Sequence, residues 1–193
     1  SMKPTIVEGD RIFINKMAYD LKLPFSQKTL IKFADPERND IVIFESKVAK
    51  KRLVKRVIGI PGDTISMQKN QLSINHQVAD YTVVSQQKEY TLSQERIADH
   101  THLIRTQVQP GNNNQPHRAN FNEITIPDGF YLMMGDNRDN SSDSRVPRTR
   151  GGVGFVPYEN IIGRADRIMF SSAGERMVYF WTWRGDRFFR AVE

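Results

Sequence analysis

Cysteine is absent from this chain of 193 residues, which excludes disulfides and thiolate metal sites. The absence is compatible with any redox compartment, because an exported protein can do without disulfides. Long apolar runs are missing too. The longest extends from Met177 to Trp183 with a threonine inside it, well short of the ~18–20 residues that a membrane-spanning helix needs.

Histidine is scarce, and its spacing does not suggest a metal site. The four histidines fall in the polar middle of the chain, and we expect them to be exposed loop residues: His76, His100, His102 and His117. No metal ion or organic cofactor is therefore predicted. The net charge of +6 permits an acidic partner such as an anionic membrane surface. Nucleic acid is not a predicted partner, because no known nucleic-acid-binding pattern is present.

The composition is that of a folded protein, with 38% hydrophobic and 10% aromatic residues. The length suits one domain that carries a sizeable insertion. From 75 to 122 the chain becomes rich in Gln, Asn, Thr and His. We interpret 75–122 as an inserted, exposed, β-rich lobe with a flexible loop and no recognisable chemistry, and assign 1–74 and 123–193 to the core.

The most unusual feature is a lysine inside an apolar strand, in the stretch from Leu53 to Asp63 with the sequence LVKRVIGIPGD. On the two-residue period of a strand, Lys55 shares a face with aliphatic neighbours, and so does Arg56 on the opposite face. An inward ammonium must be paired or lose its proton, because burial can lower a lysine pKa by ~3–5 units. The neutral amine is a base. A solvated strand edge remains the alternative at this point.

A second unusual stretch, from Gly135 to Arg145, contains eleven residues and no apolar side chain: GDNRDNSSDSR. Such a stretch is either a solvated loop or a buried network of carboxylates, guanidinium groups and hydroxyls. Calcium binding by Asp136, Asp139 and Asp143 is disfavoured, because arginines are interleaved and EF-hand spacing is lacking.

Together these stretches resemble motifs of the bacterial type I signal peptidases, membrane-anchored serine proteases with a Ser-Lys dyad. Ser1-Met-x-Pro-Thr5 with Gly9-Asp10 is similar to the nucleophile motif. The segment from Lys55 to Asp63 resembles the general-base motif, and the segment from Gly135 to Arg145 resembles the most distinctive signature. Three long motifs in the right order are hard to obtain by chance. The middle insertion is unmatched.

The resemblance implies a mainly β, signal peptidase/LexA-like fold of coiled antiparallel sheets with an inserted second lobe. It makes Ser1 the nucleophile, Lys55 the general base, and Ser141 the hydroxyl that orients the lysine amine. Two ion pairs, Asp136 with Arg56 and Asp143 with Arg145, would hold the wall of the site. Apolar candidates for shallow substrate pockets are Met2, Ile6, Ile12, Ile43, Leu53 and Val54.

The implied activity is removal of signal peptides from exported preproteins after small residues of the Ala-x-Ala type, with the substrate bound as an added strand. We expect a monomer whose catalytic domain touches phospholipid on the outer, periplasmic side of the bacterial cytoplasmic membrane. The family uses a serine or threonine two residues before the nucleophile in its oxyanion hole. That residue is missing here, and we therefore expect an N-terminal anchor upstream and weak activity without the upstream residues.

Other readings remain open. One is a different Ser-Lys peptidase, either a conjugation-type maturation protease or a relative of the self-cleaving repressors. Another is a non-catalytic homologue, which requires Ser1 to be a residue left by cloning. A free amine on Ser1 could also act as the base, as in N-terminal nucleophile enzymes.

Overall fold

Strands dominate the computed structural model, which describes residues 1–22, 29–108, 119–150, 152–172 and 184–192. The strands are β1 (Asp10–Asn15), β2 (Asp20–Lys22), β3 (Thr29–Lys32), β4 (Ile41–Ser46), β5 (Lys51–Gly59), β6 (Thr64–Gln68), β7 (Gln71–Ile74), β8 (Gln77–Val78), β9 (Asp80–Gln86), β10 (Tyr90–Ile97), β11 (His100–Gln107), β12 (Phe121–Thr125), β13 (Phe130–Met134), β14 (Val156–Pro157) and β15 (Ile161–Ser171). Four short 3-10 helices are described, at Arg138–Asn140, Arg148–Arg150, Tyr158–Asn160 and Gly185–Arg187. No described helix is long and apolar enough to cross a bilayer. The predicted mainly β fold of antiparallel sheets is confirmed.

The largest sheet joins the two ends of the chain in the order β1-β15-β4-β5-β13-β14, with antiparallel neighbours. Its centre is β4, where the four residues from Ile41 to Phe44 are all buried. A short continuous apolar run of this kind is typical of a strand covered on both faces. Residues on the middle strands of this sheet are therefore held rigidly.

A second sheet, in the order β12-β6-β7-β8, contains the predicted hairpin. Lys69 and Asn70 at its turn have φ angles of 50° and 63°. Two left-handed residues in a two-residue loop are the signature of a type I′ turn, whose twist matches that of the flanking strands. The hairpin packs Ile65 and Leu72 against Leu132 of β13.

The predicted inserted lobe contains the third sheet, in the order β11-β10-β9. β8 pairs with β7, so the sheet of the lobe itself begins at Asp80 and ends at Gln107. Two expectations about this segment are wrong. His102 is not an exposed loop residue, because it lies on β11 and is 5% exposed. The lobe is not exposed throughout either, because β10 and β11 pack against the stretch that follows β13 and contribute buried charged groups there.

One part of β5 has an edge that no described strand covers. β4 pairs with β5 from Lys51 to Arg56, whereas β13 pairs with β5 from Arg56 to Gly59. Along Lys51–Lys55, the edge on the β13 side is therefore not paired with any of the strands that the structure describes. Unpaired main-chain groups on such an edge are a template for an added strand.

Candidate active site

Lys55 lies near the middle of β5, opposite Val42 of β4, and is only 2% exposed. Burial lowers the pKa of Lys55 from 10.5 to about 8, while nearby Asp143 opposes the shift and Arg145 adds to it. The amine belongs to none of the ion pairs formed by the described residues. A large fraction of Lys55 is therefore neutral slightly above physiological pH, as a general base requires.

Ser1 is brought close to this amine. The Ser1 carbonyl accepts a hydrogen bond of 3.0 Å from the Asn137 N–H, which ties the first residue to the polar stretch after β13. The next residues turn back, because the Ile6 N–H donates to the Met2 carbonyl at 3.0 Å. Burial and then the charge of Lys55 lower the pKa of the Ser1 amino group. The amino group of Ser1 therefore lies within electrostatic range of the Lys55 amine.

The polar stretch from Gly135 to Arg145, which we call the signature loop, is largely buried and is not a solvated loop. The Asp143 carboxylate accepts two hydrogen bonds of 2.9 Å from the Arg145 guanidinium, on Nε and Nη2. It also accepts one of 3.0 Å from the Gly135 N–H. Burial alone would raise the pKa of the Asp143 carboxyl, but Arg145 holds it below its ordinary value. The loop is closed by its own ion pair.

The second predicted ion pair joins the signature loop to β5. Arg56 donates from Nε and Nη2 to the two oxygens of Asp136, each at 2.9 Å, and both side chains are fully buried. The third nitrogen of the guanidinium, Nη1, donates to the carbonyl and side-chain oxygens of Asn39. Thr5 Oγ1 donates to Asp136 Oδ2, so the pair also touches the N-terminal segment. A buried pair with these bidentate contacts is costly to break from one side.

Ser141 is fully buried, and its Oγ has no hydrogen-bond partner of acceptable geometry among the described residues. Its hydroxyl is nevertheless near enough to Asp143 to help lower the pKa of that carboxyl. A Cβ added at Gly135 would lie 2.2 Å from Ser141 Oγ and 2.5 Å from the Ser1 carbonyl oxygen. The Ser141 side chain and the Ser1 carbonyl therefore converge on the glycine.

The apolar candidates divide between two clusters. Five of the six belong to one cluster that also contains Ile41 and Ala165: Met2, Ile6, Ile12, Ile43 and Val54. Leu53 instead packs with Phe44 and Tyr131 in another cluster. The two clusters lie on opposite faces of the large sheet, since Leu53 and Val54 are consecutive in β5. The structure places the first five together and Leu53 apart.

Glu95 and His102, which the sequence interpretation missed, form a buried network with Arg138 of the signature loop. Arg138 Nη1 donates to Glu95 Oε1 at 2.7 Å, and Nη2 donates to Oε2. His102 Nε2 lies 3.1 Å from Glu95 Oε2. Burial would raise the pKa of the Glu95 carboxyl, but Arg138 and His102 hold it far below its usual value. Alternation in β10 was an available signal, because Glu95 shares a face with buried Ile97.

The three aspartates of the signature loop bind protein groups and are not arranged as a calcium site. Asp136 and Asp143 pair with arginines, and Asp139 Oδ2 accepts a hydrogen bond of 2.7 Å from the Gln107 N–H. The described residues hold no group of three side chains suited to a metal ion. Chemically, the site offers a buried amine next to a serine and an unpartnered hydroxyl, which suits nucleophilic catalysis assisted by an amine base.

Residues 1–170 match the family described as signal peptidase, peptidase S26. A signal peptidase I from Pseudomonas aeruginosa is 36% identical over 189 residues, covering 92% of this chain and 64% of that protein. A signal peptidase I from Pseudomonas fluorescens is 35% identical over 184 residues, covering 89% and 62%. The chain thus spans less than two thirds of the length of these two relatives.

Another relative and one solved structure are similar. A signal peptidase I from Rickettsia canadensis is 34% identical over 188 residues, covering 89% of this chain and 69% of that protein. Among solved structures, a signal peptidase I from Enterococcus faecalis has a TM-score of 0.42 and 23% sequence identity, covering 69% of this chain and 98% of that one.

Proposed function

The chain belongs to the signal peptidase family, peptidase S26, and from this membership we propose that it is a serine endopeptidase that removes signal peptides from exported preproteins. The observation that carries the proposal is the buried amine of Lys55, with a pKa of about 8, next to Ser1. A serine hydroxyl is a weak nucleophile unless an adjacent base removes its proton, and a desolvated lysine is such a base.

The proposed reaction uses the two residues in turn. Neutral Lys55 takes the proton of Ser1 Oγ as the oxygen attacks the carbonyl carbon of the scissile bond. The protonated lysine then gives that proton to the leaving amine, which leaves an acyl ester on Ser1. Water, deprotonated by the same lysine, attacks the ester and releases the new carboxylate as Ser1 regains its proton. Ser141, whose buried hydroxyl has no hydrogen-bond partner of acceptable geometry among the described residues, would orient the lysine amine through these steps.

The substrate would bind as an extended strand on the unpaired edge along Lys51–Lys55. That edge ends at the proposed base, so a peptide paired there would present its scissile bond near Lys55. Val54 of this edge packs in the cluster with Met2 and Ile43. Apolar side chains of this cluster would form shallow pockets, and cleavage after Ala-x-Ala sequences is proposed from the resemblance to the family.

We place the enzyme, as a monomer, on the outer side of the bacterial cytoplasmic membrane. Large apolar side chains are exposed around β1: Phe13, Met17, Phe33 and Phe189. Phe13 pairs in register with Arg167, whose guanidinium donates to the Phe189 carbonyl. Aromatic side chains beside a cation suit the interface of an anionic membrane, where both an apolar and a charged environment are present.

The direct test is cleavage of an Ala-x-Ala peptide by the wild type and by Ser1→Ala. Loss of the nucleophile is expected to reduce kcat by about 10⁴-fold or more. Ser142→Ala is the matched control, because Ser142 is an exposed serine of the same loop and its loss should leave cleavage intact. Undiminished cleavage by Ser1→Ala would exclude Ser1 as the nucleophile, and a wild type that stays inactive with its native upstream residues restored would favour a non-catalytic homologue.

The dependence of kcat/KM on pH is a second test of the proposed base. The folded-state pKa of Lys55 is lowered to about 8, and only the neutral amine accepts a proton. Activity should therefore rise as the pH rises through about 8 and level off above it, since protonation blocks the base below that pH. An acid limb near ~6.5, the ordinary value for histidine, would contradict Lys55 as the base.

A further inference from the structure

We propose that Glu95, contributed by the inserted lobe, is a positioning residue that holds the signature loop against Lys55. The inference rests on the proposed function. It assigns a catalytic purpose to a segment that carries no recognisable motif. Glu95 contacts no reacting atom; its effect passes through Arg138.

On the lobe side, each of the three strands of that sheet contributes one residue to the surroundings of the Glu95 carboxylate. His102 is its cross-strand partner in the register of β10 and β11. The Tyr81 hydroxyl, from β9, donates to Glu95 Oε1 at 2.7 Å. The carboxylate is fully buried and accepts hydrogen bonds from both terminal nitrogens of Arg138. Its position is therefore fixed before it meets the loop.

On the core side, Arg138 is held by its main chain as well. Its carbonyl oxygen accepts a hydrogen bond of 2.5 Å from Arg145 Nη2, the same nitrogen that binds Asp143 Oδ2. Asp143 is the charged group that acts most strongly on Lys55. Arg138 thus connects two parts of the molecule. Its guanidinium binds Glu95 of the lobe, and its carbonyl oxygen supports the Asp143–Arg145 ion pair near the proposed base.

The neighbouring residues of the loop show the same arrangement. The Arg105 N–H of β11 donates to the Asp136 carbonyl at 2.8 Å, and the Gln107 N–H donates to Asp139. Between these two contacts, the Asn137 N–H holds the Ser1 carbonyl. The segment 136–139 is therefore enclosed between the lobe on one side and the proposed dyad on the other.

Removal of the Glu95 charge would leave the Arg138 guanidinium buried without a counter-charge. A buried cation in that position must move towards solvent or draw in water. Either movement displaces the 3-10 turn at Arg138–Asn140, which Ser141 follows directly. A displacement of about 1 Å in a catalytic arrangement can lower the rate by about 100-fold without changing the contacts that bind substrate.

The first experiment measures peptide cleavage by Glu95→Gln, which preserves the shape of the side chain and removes its charge. We expect kcat to fall about 10- to 100-fold while KM stays within about twofold, because a misplaced dyad affects the transition state more than binding. Asp80→Asn is the matched control. It removes a carboxylate paired with Arg96 on the same sheet, but both partners are more than 60% exposed, and its kinetics should match the wild type. An unchanged kcat in a folded Glu95→Gln protein overturns the inference.

A second measurement does not depend on activity. Acetic anhydride labels neutral lysine amines, and mass spectrometry of the Lys55 peptide gives the labelling midpoint as a function of pH. Water admitted by a loosened loop should raise that midpoint in Glu95→Gln above the wild-type value of about 8, and Asp80→Asn should leave it unchanged. An unmoved midpoint in Glu95→Gln overturns the inference. A wild type that labels as expected but cleaves no peptide would reject the proposed function alone.

Tyr81→Phe provides the test if Glu95→Gln does not fold. It removes one hydrogen bond to the Glu95 carboxylate and leaves the charge pair with Arg138 in place. Tyr81→Phe should change both quantities in the same direction as Glu95→Gln but by smaller amounts, giving a lower kcat at constant KM and a higher labelling midpoint. Wild-type values for both quantities in the folded variant overturn the proposal.

Discussion

Lys55→Met should abolish peptide cleavage, with a fall in kcat of about 10⁴-fold or more. Methionine fills much of the space of the lysine stem but has no proton acceptor of comparable strength, so Ser1 loses its base. Measurement of kcat for the purified, folded variant tests this directly. Lys88→Met replaces an exposed lysine and should retain wild-type activity. Substantial cleavage by Lys55→Met would transfer the role of base to another group, the Ser1 amine first.

The same variant should be more stable than the wild type at neutral pH. The folded-state pKa of Lys55 is about 8, against 10.5 for the free side chain, so the unfolded chain binds more protons between those values. Stability due to this residue therefore rises as pH rises from 8 to 10.5, and below pH 8 the buried cation destabilises the fold by its full amount. At 1.36 kcal/mol per unit of pKa, that amount is about 3 kcal/mol.

Urea unfolding at two pH values tests the stability effect. Lys55→Met should gain up to about 3 kcal/mol at pH 7 and much less near pH 10.5, because there the wild-type lysine is neutral in the folded state and already about half neutral in the unfolded state. Lys88→Met should gain nothing at either pH. A loss of stability at pH 7 would mean that Lys55 is held by favourable contacts of the cation. The opposite signs for activity and stability are the mark of a strained functional residue.

Much of the scaffold could be predicted from local pattern. The apolar run of β4 and the Lys69-Asn70 turn specify a buried strand and a hairpin through short-range sterics, and both are present as expected. The partners of Arg56 and Arg145 required the resemblance to a known family. Periodicity states that a charge faces inward, but the carboxylate that receives it is 80 residues away in the case of Arg56 and Asp136.

The burial of Glu95 could have been predicted from strand periodicity. Like Lys55, Glu95 beside Ile97 and His102 beside Ile104 lie among aliphatic neighbours on one strand face, where a charged residue needs a buried partner. The polar composition of the segment hid that alternation. Alternation also divides the apolar candidates for substrate pockets. Consecutive residues of a strand face opposite ways, so Leu53 shares a face with Lys55 and packs in a different cluster from Val54.

Gly135→Ala is expected to lower kcat by about 100-fold, because the added methyl group has no space at the point where Ser1 and Ser141 meet. The new Cβ would lie 2.2 Å from Ser141 Oγ and 2.5 Å from the Ser1 carbonyl oxygen. The Ser1 carbonyl oxygen belongs to the backbone, and the Ser141 Cβ, at 2.6 Å, cannot rotate aside, so the backbone must shift. Since the Gly135 N–H also donates to Asp143, any shift moves the proposed nucleophile Ser1, the Ser141 hydroxyl and the ion pair near Lys55 together.

Two other glycines separate this catalytic effect from general destabilisation. A Cβ at Gly59 would clash with the Cδ1 atoms of Ile65 and Ile126 in the hairpin core, whereas a Cβ at Gly185 meets nothing within 4 Å. Overpacking costs about 1–3 kcal/mol, so Gly59→Ala should lower the free energy of unfolding and yet preserve kcat. Gly185→Ala should preserve both. Only Gly135→Ala displaces Ser1 and Ser141. Equal kcat values in the Gly135 and Gly59 variants would therefore mean that the close approach at Gly135 serves packing alone.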